Sequence, residues 1–466
     1  MNIFSLWNSW KHFGTAMMLS KAWEKFIVDQ YRFRSGLNRE VPEYPVIPTK
    51  VISAKQEKYN RQLSICYFVH YFYPDKMGGT ERFVLSLARE QQKLGNQVRV
   101  ITLGKRPEKQ YEHRFGQILY TELEFEGIAI TQMRYLRAPR GLYYDEIRPD
   151  DQEMGEFAEH LLMRYKMDFA HFAYPQPFAA VAKVMQKHGI PYGITLTDFN
   201  IFCHYATLVN KNGKFCTGSD QGRKCQNQCK TYGVKDCQRR YAVAATLLDG
   251  AAFITTPSQF VANVIGVEFP GREITVIPHG ISQQFSCEKR RTAVRKFAFV
   301  GTISPLKGVH ILIEAFREMQ GDVTLEIYGH GEQGYVDQLR RMSKNDGRIM
   351  FCGAVPADKM PEIYQSVDCV IVPSVWFETY NFVLREALSC GCVCVASNMG
   401  AMPEAIQEGK NGFVFSSGDT KSLGEALEKA SRFNWSIYED SDFPNIEDEA
   451  MLYETLYQEA LKKHGA

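Results

Sequence analysis

From residue 62 onward, short apolar runs alternate with helix-length segments, and few folds accommodate that alternation. Residues 63–70 and 97–103 read as strands, separated by an amphipathic helix over 80–94 that Gly95 stops. Further short strands are expected at 169–173, 192–196, 252–255 and 275–278. After a charged stretch at 288–296 the pattern restarts at 297–301 and returns at 323–328, 349–352, 369–372 and 392–396. Such alternation builds βαβ units and a parallel sheet. The chain is therefore expected to be α/β, with two parallel-sheet domains and a closing amphipathic helix at 445–463.

Composition agrees with a globular protein and removes several classes. Of 466 residues, 45% are hydrophobic and 23% charged, which excludes a disordered, collagen-like or disulfide-stapled chain. A formal charge of +2 gives no global field for nucleic acid, so no nucleic-acid partner is expected. No apolar run reaches the ~18 residues of a membrane span. No secretory leader is read either, and a reducing cytoplasm is expected. Residues 1–60 stand apart, with nine basic residues against five acidic ones and three of the five tryptophans. Ile3, Leu6, Trp10, Phe13 and Met17 recur at helical spacing. This extension reads either as a helix lying on an anionic membrane surface or as one packed on the body of the protein. Pro42, Pro45 and Pro48 then read as a linker.

Three glycine turns bear on function. Gly78-Gly79-Thr80 sits at a strand-to-helix turn, where backbone N–H groups can face an anion and Thr80 can cap the helix. Gly329-His330-Gly331-Glu332-Gln333-Gly334 spells a dinucleotide fingerprint, but no acid follows at the ribose-holding distance before Asp358, which argues against a dehydrogenase. Gly301-Thr302-Ile303-Ser304-Pro305-Leu306-Lys307-Gly308 brings a lysine to the carboxyl edge of the second domain's first strand. There an ammonium can neutralise a diphosphate.

The densest signal is Pro373-Ser374 followed by Glu378 and, eight residues on, Glu386. With Glu378 at a helix start, a rise of ~1.5 Å per residue puts the two carboxylates roughly 12 Å apart. That spacing suits opposite ends of an extended ligand. Ionised carboxylates are acceptor-only, which suits ligand hydroxyls. Gly400-Ala401-Met402-Pro403-Glu404 adds a turn at the same edge.

In this combination and order, the Glu-x7-Glu element, the Lys-Gly turn, the Pro-Ser pair and the Pro-Glu turn resemble the retaining glycosyltransferases of family 4. Gly78-Gly79-Thr80-Glu81-Arg82 and Pro278-His279-Gly280-Ile281 also fit that pattern, and the resemblance covers roughly residues 62–430. It implies GT-B architecture, two Rossmann-like domains facing each other across a cleft. The expected division is an extension at 1–60, an acceptor-binding domain at 61–288, a nucleotide-sugar domain at 289–444 and a closing helix at 445–466 on the first domain. It also implies transfer from a nucleotide-diphosphate sugar to a glycan or lipid-linked acceptor, without a divalent metal. Glu378 would hold the donor sugar, Lys307 the diphosphate, and Asp198 would be the remaining half of the family's His-Asp pair. Glu386 would hold the ribose and the Gly78-Gly79 backbone the phosphates, with Gly301, Thr302, Gly329, Gly331, Asn381 and Phe382 completing the donor pocket. Four positions depart from the family. Thr302 replaces a phosphate-clamping arginine and Thr197 the histidine before Asp198, while Asn381 and Ala401 replace glycines. Arg82 or Arg385 is a candidate for the missing charge. An epimerase of the same architecture and a degenerate glycan- or nucleotide-binding protein are the rival readings.

Five cysteines fall within 203–237, in a polar insert spanning 203–240. Cys203, Cys216, Cys225 and Cys229 suggest a structural zinc site, the alternatives being an iron–sulfur cluster and unligated thiols. Residues 210–240 carry eight Lys or Arg against two Asp, which reads either as a solvated loop or as a surface for anionic headgroups. With the N-terminal extension, this favours peripheral association with the inner face of a membrane.

Overall fold

The computed structural model describes residues 41–52, 61–104, 106–136, 151–210, 213–229, 234–285 and 293–465. The amphipathic extension expected before residue 41 and most of the charged stretch after 287 lie outside the described residues. Two compact units emerge. One combines Glu43–Leu208, Thr217–Gly280 and Pro444–Ala466, and the other contains Val209–Cys216 and Ile281–Phe443.

The first unit is built on a nine-stranded sheet. Its strands are β1 (Ser64–Val69), β2 (Gln97–Leu103), β3 (His113–Phe115), β4 (Ile118–Phe125), β5 (Ile128–Tyr135), β6 (Phe169–Phe172), β7 (Tyr192–Thr195), β8 (Phe253–Thr256) and β9 (Thr275–Val276), in the order β3-β4-β5-β2-β1-β6-β7-β8-β9. From β5 to β9 every pairing is parallel. β1, β6, β7 and β8 are buried along their whole length, as strands covered by helices on both faces must be. Pure strand–helix alternation misses the antiparallel β3-β4-β5 edge. There Glu126 and Gly127, both at positive φ (51° and 81°), make the two-residue turn that matches strand twist.

The Ile446–Lys463 helix buries Ala450, Tyr453, Leu456, Tyr457, Ala460 and Leu461 in the same core as β1 and β2. Its tyrosines carry hydroxyls inside, so they need partners. The Tyr457 hydroxyl lies 2.7 Å from His171 Nδ1 and 3.1 Å from the Tyr67 hydroxyl. The Tyr453 hydroxyl meets Thr195 and Thr255 at 3.0 and 3.1 Å. The proline-rich stretch read as a linker is a strap on this unit. Ile47 N donates to Asn263 Oδ1 (2.9 Å), Gln259 Nε2 to the Ile47 carbonyl (2.9 Å), and Lys50 N to the Ile274 carbonyl (2.9 Å).

The second unit is an all-parallel six-stranded sheet of β10 (Lys296–Val300), β11 (Thr324–Tyr328), β12 (Ile349–Gly353), β13 (Cys369–Val372), β14 (Val393–Ser397) and β15 (Gly412–Phe415). The order β12-β11-β10-β13-β14-β15 reverses between β10 and β13. In an open parallel sheet, ligands bind outside the carboxyl ends of the strands at such a reversal. Cys390, Cys392 and Cys394 are fully buried, with Cys390 Sγ donating to the Phe285 carbonyl (3.1 Å) and Cys392 Sγ to that of Tyr364 (3.2 Å). Only Cys394 lies on β14, while Cys390 is the C-cap of the Phe382–Ser389 helix and Cys392 precedes the strand, so the three are buried without sharing one strand face.

Candidate active site

Chain leaving β10 and β13 flanks the reversal point, and it carries Lys307 and Glu378. Lys307 closes a short 3-10 turn, Pro305–Lys307, before the Val309–Glu318 helix. Its ammonium donates to Glu378 Oε1 at 2.7 Å. Ser374 Oγ (2.7 Å) and Trp376 Nε1 (2.9 Å) donate to the same oxygen. Burial acts to raise the Glu378 pKa, but the Lys307 charge and the three hydrogen bonds outweigh it and hold the carboxyl below its usual range. The result is an ionised carboxylate 6% exposed, beside an ammonium that also lies over the Trp376 ring.

Glycines hold the turns of this edge against one another. Gly308 has φ 70°, and a Cβ there would come within 1.9 Å of the Pro373 carbonyl oxygen. Val375 N donates to the Leu306 carbonyl (2.8 Å), locking the lysine turn to the glutamate turn. Gly400, φ 66°, lies under Glu378, whose carbonyl oxygen a Cβ would approach to 2.1 Å. Gly329 and Gly331 have the same kind of role, since added methyls would meet the Gly301 and Ile303 carbonyl oxygens at 1.8 and 2.0 Å. The G-x-G-x-x-G run therefore serves turn-to-turn packing. Glu332 caps the Gln333–Met342 helix by accepting from Gly334 N (3.2 Å) and Tyr335 N (3.0 Å), which places a carboxylate where a dinucleotide's pyrophosphate would need the helix N-terminus.

The helix carrying Glu386 is shorter than expected. It spans Phe382–Ser389, so Glu378 precedes it by four residues and the straight helical spacing of the two carboxylates does not hold. Glu378 instead bridges to Gly400, while Glu386 sits about one turn into the helix, 2% exposed, and accepts from the Tyr364 hydroxyl at 3.0 Å. Ser374, Trp376 and Tyr364 thus orient the carboxylates. The Pro-Ser pair gave a hint of the first, and nothing in the spacing pointed to Tyr364.

Asn381 explains its own departure from glycine. It adopts φ 66°, the left-handed region, and its Oδ1 accepts from Leu384 N at 2.9 Å as the helix N-cap. Asn tolerates that backbone better than other side chains and supplies a cap that Gly lacks. Asn381→Gly should stay within about 0.5 kcal/mol of the wild type in denaturant unfolding, whereas Asn381→Ala should lose about 1.5–3 kcal/mol. Equal losses would contradict the left-handed conformation.

Arg385 is not the missing phosphate clamp. It is 4% exposed, donates to the Tyr380 and Ala401 carbonyls, and stacks on the Tyr380 ring at 3.9 Å. Burial pushes its pKa down. Thr302 is exposed on the first turn, and Phe382 packs edge-on against Tyr380 at 5.2 Å.

In the first unit the order reverses between β1 and β6, and the turn after β1 holds Gly78 and Gly79. Gly78, not Thr80, is the N-cap of the Gly79–Lys93 helix. The Thr80 hydroxyl is drawn instead to Thr197 Oγ1 (2.7 Å), so the residue standing in for histidine ties this turn to the segment of Asp198. Asp198 Oδ1 accepts from Asn200 N at 2.8 Å. Beneath the turn, the buried Glu81 carboxylate pairs with Lys76 at 3.2 Å.

Among the described residues no three His, Cys, Asp or Glu side chains gather as a metal-holding group. Cys225 and Cys229 lie on the short Arg223–Cys229 helix, and Cys216 belongs to the second compact unit while the other three belong to the first. Among the described residues no helix is long and apolar enough to cross a membrane.

Residues 77–285 match the family described as Glycosyltransferase Family 4, and residues 294–432 match Glycosyl transferases group 1. The chain is 23% identical to the N-acetyl-alpha-D-glucosaminyl L-malate synthase of Bacillus anthracis over 84% of its length and 96% of that protein's. It is 28% identical to the putative glycosyltransferase YtcC of Bacillus subtilis, over 41% of this chain and about half (54%) of that one. The crystal structure of Anabaena HepE in complex with UDP and glucose shares the fold, with a TM-score of 0.56 at 17% identity, over 87% of this chain and all of that one. None of these matches favours the epimerase or the binding-protein reading. Two glycosyltransferase families matched in sequence order, on two parallel-sheet units that carry the glutamate, lysine and glycine turns described above, place this chain among the family 4 glycosyltransferases of GT-B fold.

Proposed function

We propose that the protein moves a sugar from a nucleoside-diphosphate sugar to a glycan or lipid-linked acceptor, with retention at the anomeric carbon. The carrying observation is the Lys307–Glu378 pair at the β10/β13 reversal, with Glu386 on the next helix. Glu378 accepts hydroxyls of the donor sugar, Glu386 those of the ribose, and Lys307 shifts its ammonium toward the diphosphate. Gly301, Thr302, Gly329, Gly331, Asn381 and Phe382 shape the pocket around them. The acceptor oxygen bonds to the anomeric carbon on the face the donor leaves. The bond from that carbon to the diphosphate oxygen breaks, the electron pair departs with the diphosphate, and the donor phosphate takes the acceptor's proton. Lys307 stabilises the charge that develops on the departing group. The first unit handles the acceptor, with Asp198 and the Gly78-Gly79 turn at its own strand-order reversal. UDP is the first donor class to test, because the Anabaena structure of the same fold was solved with UDP and glucose. The basic insert supports an acceptor at the inner face of a membrane, met by peripheral association.

Thermal shifts with UDP-, GDP-, ADP- and TDP-glucose test this reading. One base at about 100 times its Kd should raise Tm by roughly 5–10 °C. Glu386→Ala should lose most of that shift, and equal shifts in both proteins would remove the assignment.

A further inference from the structure

Part of the cysteine insert lies on the glutamate turn. Val209–Cys216 belongs to the second compact unit although its sequence neighbours on both sides belong to the first. It forms a narrow hairpin. Val209 bridges Phe215, Asn210 N donates to the Lys214 carbonyl (2.8 Å), and Lys214 N to Asn210 Oδ1 (3.1 Å). Val209 and Cys216 are buried, and the Phe215 ring rests on Phe377 with centroids 4.8 Å apart at 44°. Phe377 is 1% exposed and precedes Glu378 directly in sequence. On the other side of Phe377, Trp376 donates its indole N–H to the Glu378 carboxylate. The carboxylate is thus held by a three-residue run whose middle ring is covered by the insert.

We infer that Phe215 is a positioning residue for the donor sugar: the insert's hairpin fixes Phe377, and through it the Glu378 carboxylate. This rests on the proposed role of Glu378 and adds the element that sets its geometry. A half-buried aromatic pair contributes beyond its buried area, and losing it admits water beside Phe377. The nucleoside half of the donor, assigned to Glu386 on the following helix, has no such dependence. Phe215 should therefore act on the sugar and leave the nucleoside diphosphate alone.

The test is a pair of measurements on Phe215→Ala in the full chain. The donor-sugar KM should rise about threefold to tenfold, while UDP affinity stays within about twofold of the wild type. Phe215→Tyr, which keeps the ring, should restore the KM. The cycle of Phe215→Ala with Phe377→Leu should be non-additive, since the two rings touch. Should Phe215→Ala fail to fold, Phe215→Leu gives the same comparison. An unchanged donor KM, or equal losses for UDP and donor, would overturn the inference. A wild type that neither binds nor turns over any nucleotide sugar would instead overturn the function proposed above.

Discussion

Glu378→Gln should lower kcat/KM about 10²- to 10³-fold and leave UDP affinity within about twofold of the wild type. Glutamine preserves the volume of the buried side chain and can still accept from Ser374 and Trp376, which now meet Oε1 at 2.7 and 2.9 Å. What it removes is the negative charge beside Lys307, and the loss acts twice. A carboxylate accepting sugar hydroxyls makes charge-assisted bonds that an amide cannot match. The Lys307 ammonium is also released from its anionic partner and can pair with the diphosphate before the transition state is reached. Ground-state binding of the nucleotide is then spared while transfer slows. Lys307→Ala should show the opposite division, losing UDP affinity along with turnover. Glu378→Gln activity within tenfold of the wild type would exclude the carboxylate from the chemistry.

The parallel core was legible because its strands are short, apolar on both faces and separated by helix-length segments. β1, β6, β7, β8 and β13 are buried at every position, and each lies within one residue of where the apolar runs put it. The elements that escaped are at sheet edges, where burial is partial and the apolar signal fades. β15 is buried at its two ends only. In the β3-β4-β5 edge, β3 is short and largely exposed, and the Glu-Gly turn between β4 and β5 does not contain the Asn or Asp that marks a hairpin most clearly.

At the site, residue types were readable and their supports were not. Glu378, Glu386 and Lys307 stood out as charges beside buried strands. Their separation did not follow from spacing, because three residues, ending in a left-handed Asn381, intervene before the helix begins. Arg385 shows the limit of reading charge from sequence: an arginine beside a proposed phosphate site is turned onto two backbone carbonyls and a tyrosine ring. The glycines of the G-x-G-x-x-G run had a clear backbone purpose and a misleading pattern, since close approach to a neighbouring turn and close approach to a cofactor call for the same residue.

Acidification should destabilise the protein well above the pH at which its carboxylates titrate. Burial pushes the His171 imidazole down to about 3, and burial followed by the Arg240 charge does the same to His204. Burial lowers His310 to about 4. An unfolded histidine takes its proton near pH 6.5. Below that pH the unfolded chain binds protons that the native state refuses, so stability complete above 6.5 is lost progressively toward the folded values. Each group contributes about 1.4 kcal/mol per pH unit, or about 2 kcal/mol at pH 5 from His171 alone. Glu268 works in the opposite sense, because burial raises its pKa despite the Ser219 hydrogen bonds, and its protonation on acidification favours the native state. The histidines lie unevenly, with His171 and His204 in the first unit and His310 in the second, so the first unit should lose more. His171 is the one to change, since its ring is held between the Tyr457 hydroxyl of the closing helix and Thr195, each at 2.7 Å. Protonating it would replace an acceptor with a donor inside a packed network and loosen that helix from the core. In denaturant unfolding at pH 7.5 and 5.0, His171→Gln should be less stable than the wild type at the higher pH yet lose about 2 kcal/mol less between the two. A wild type whose stability is flat across this interval, or a variant with the same slope, would mean that the imidazole is not held neutral by burial.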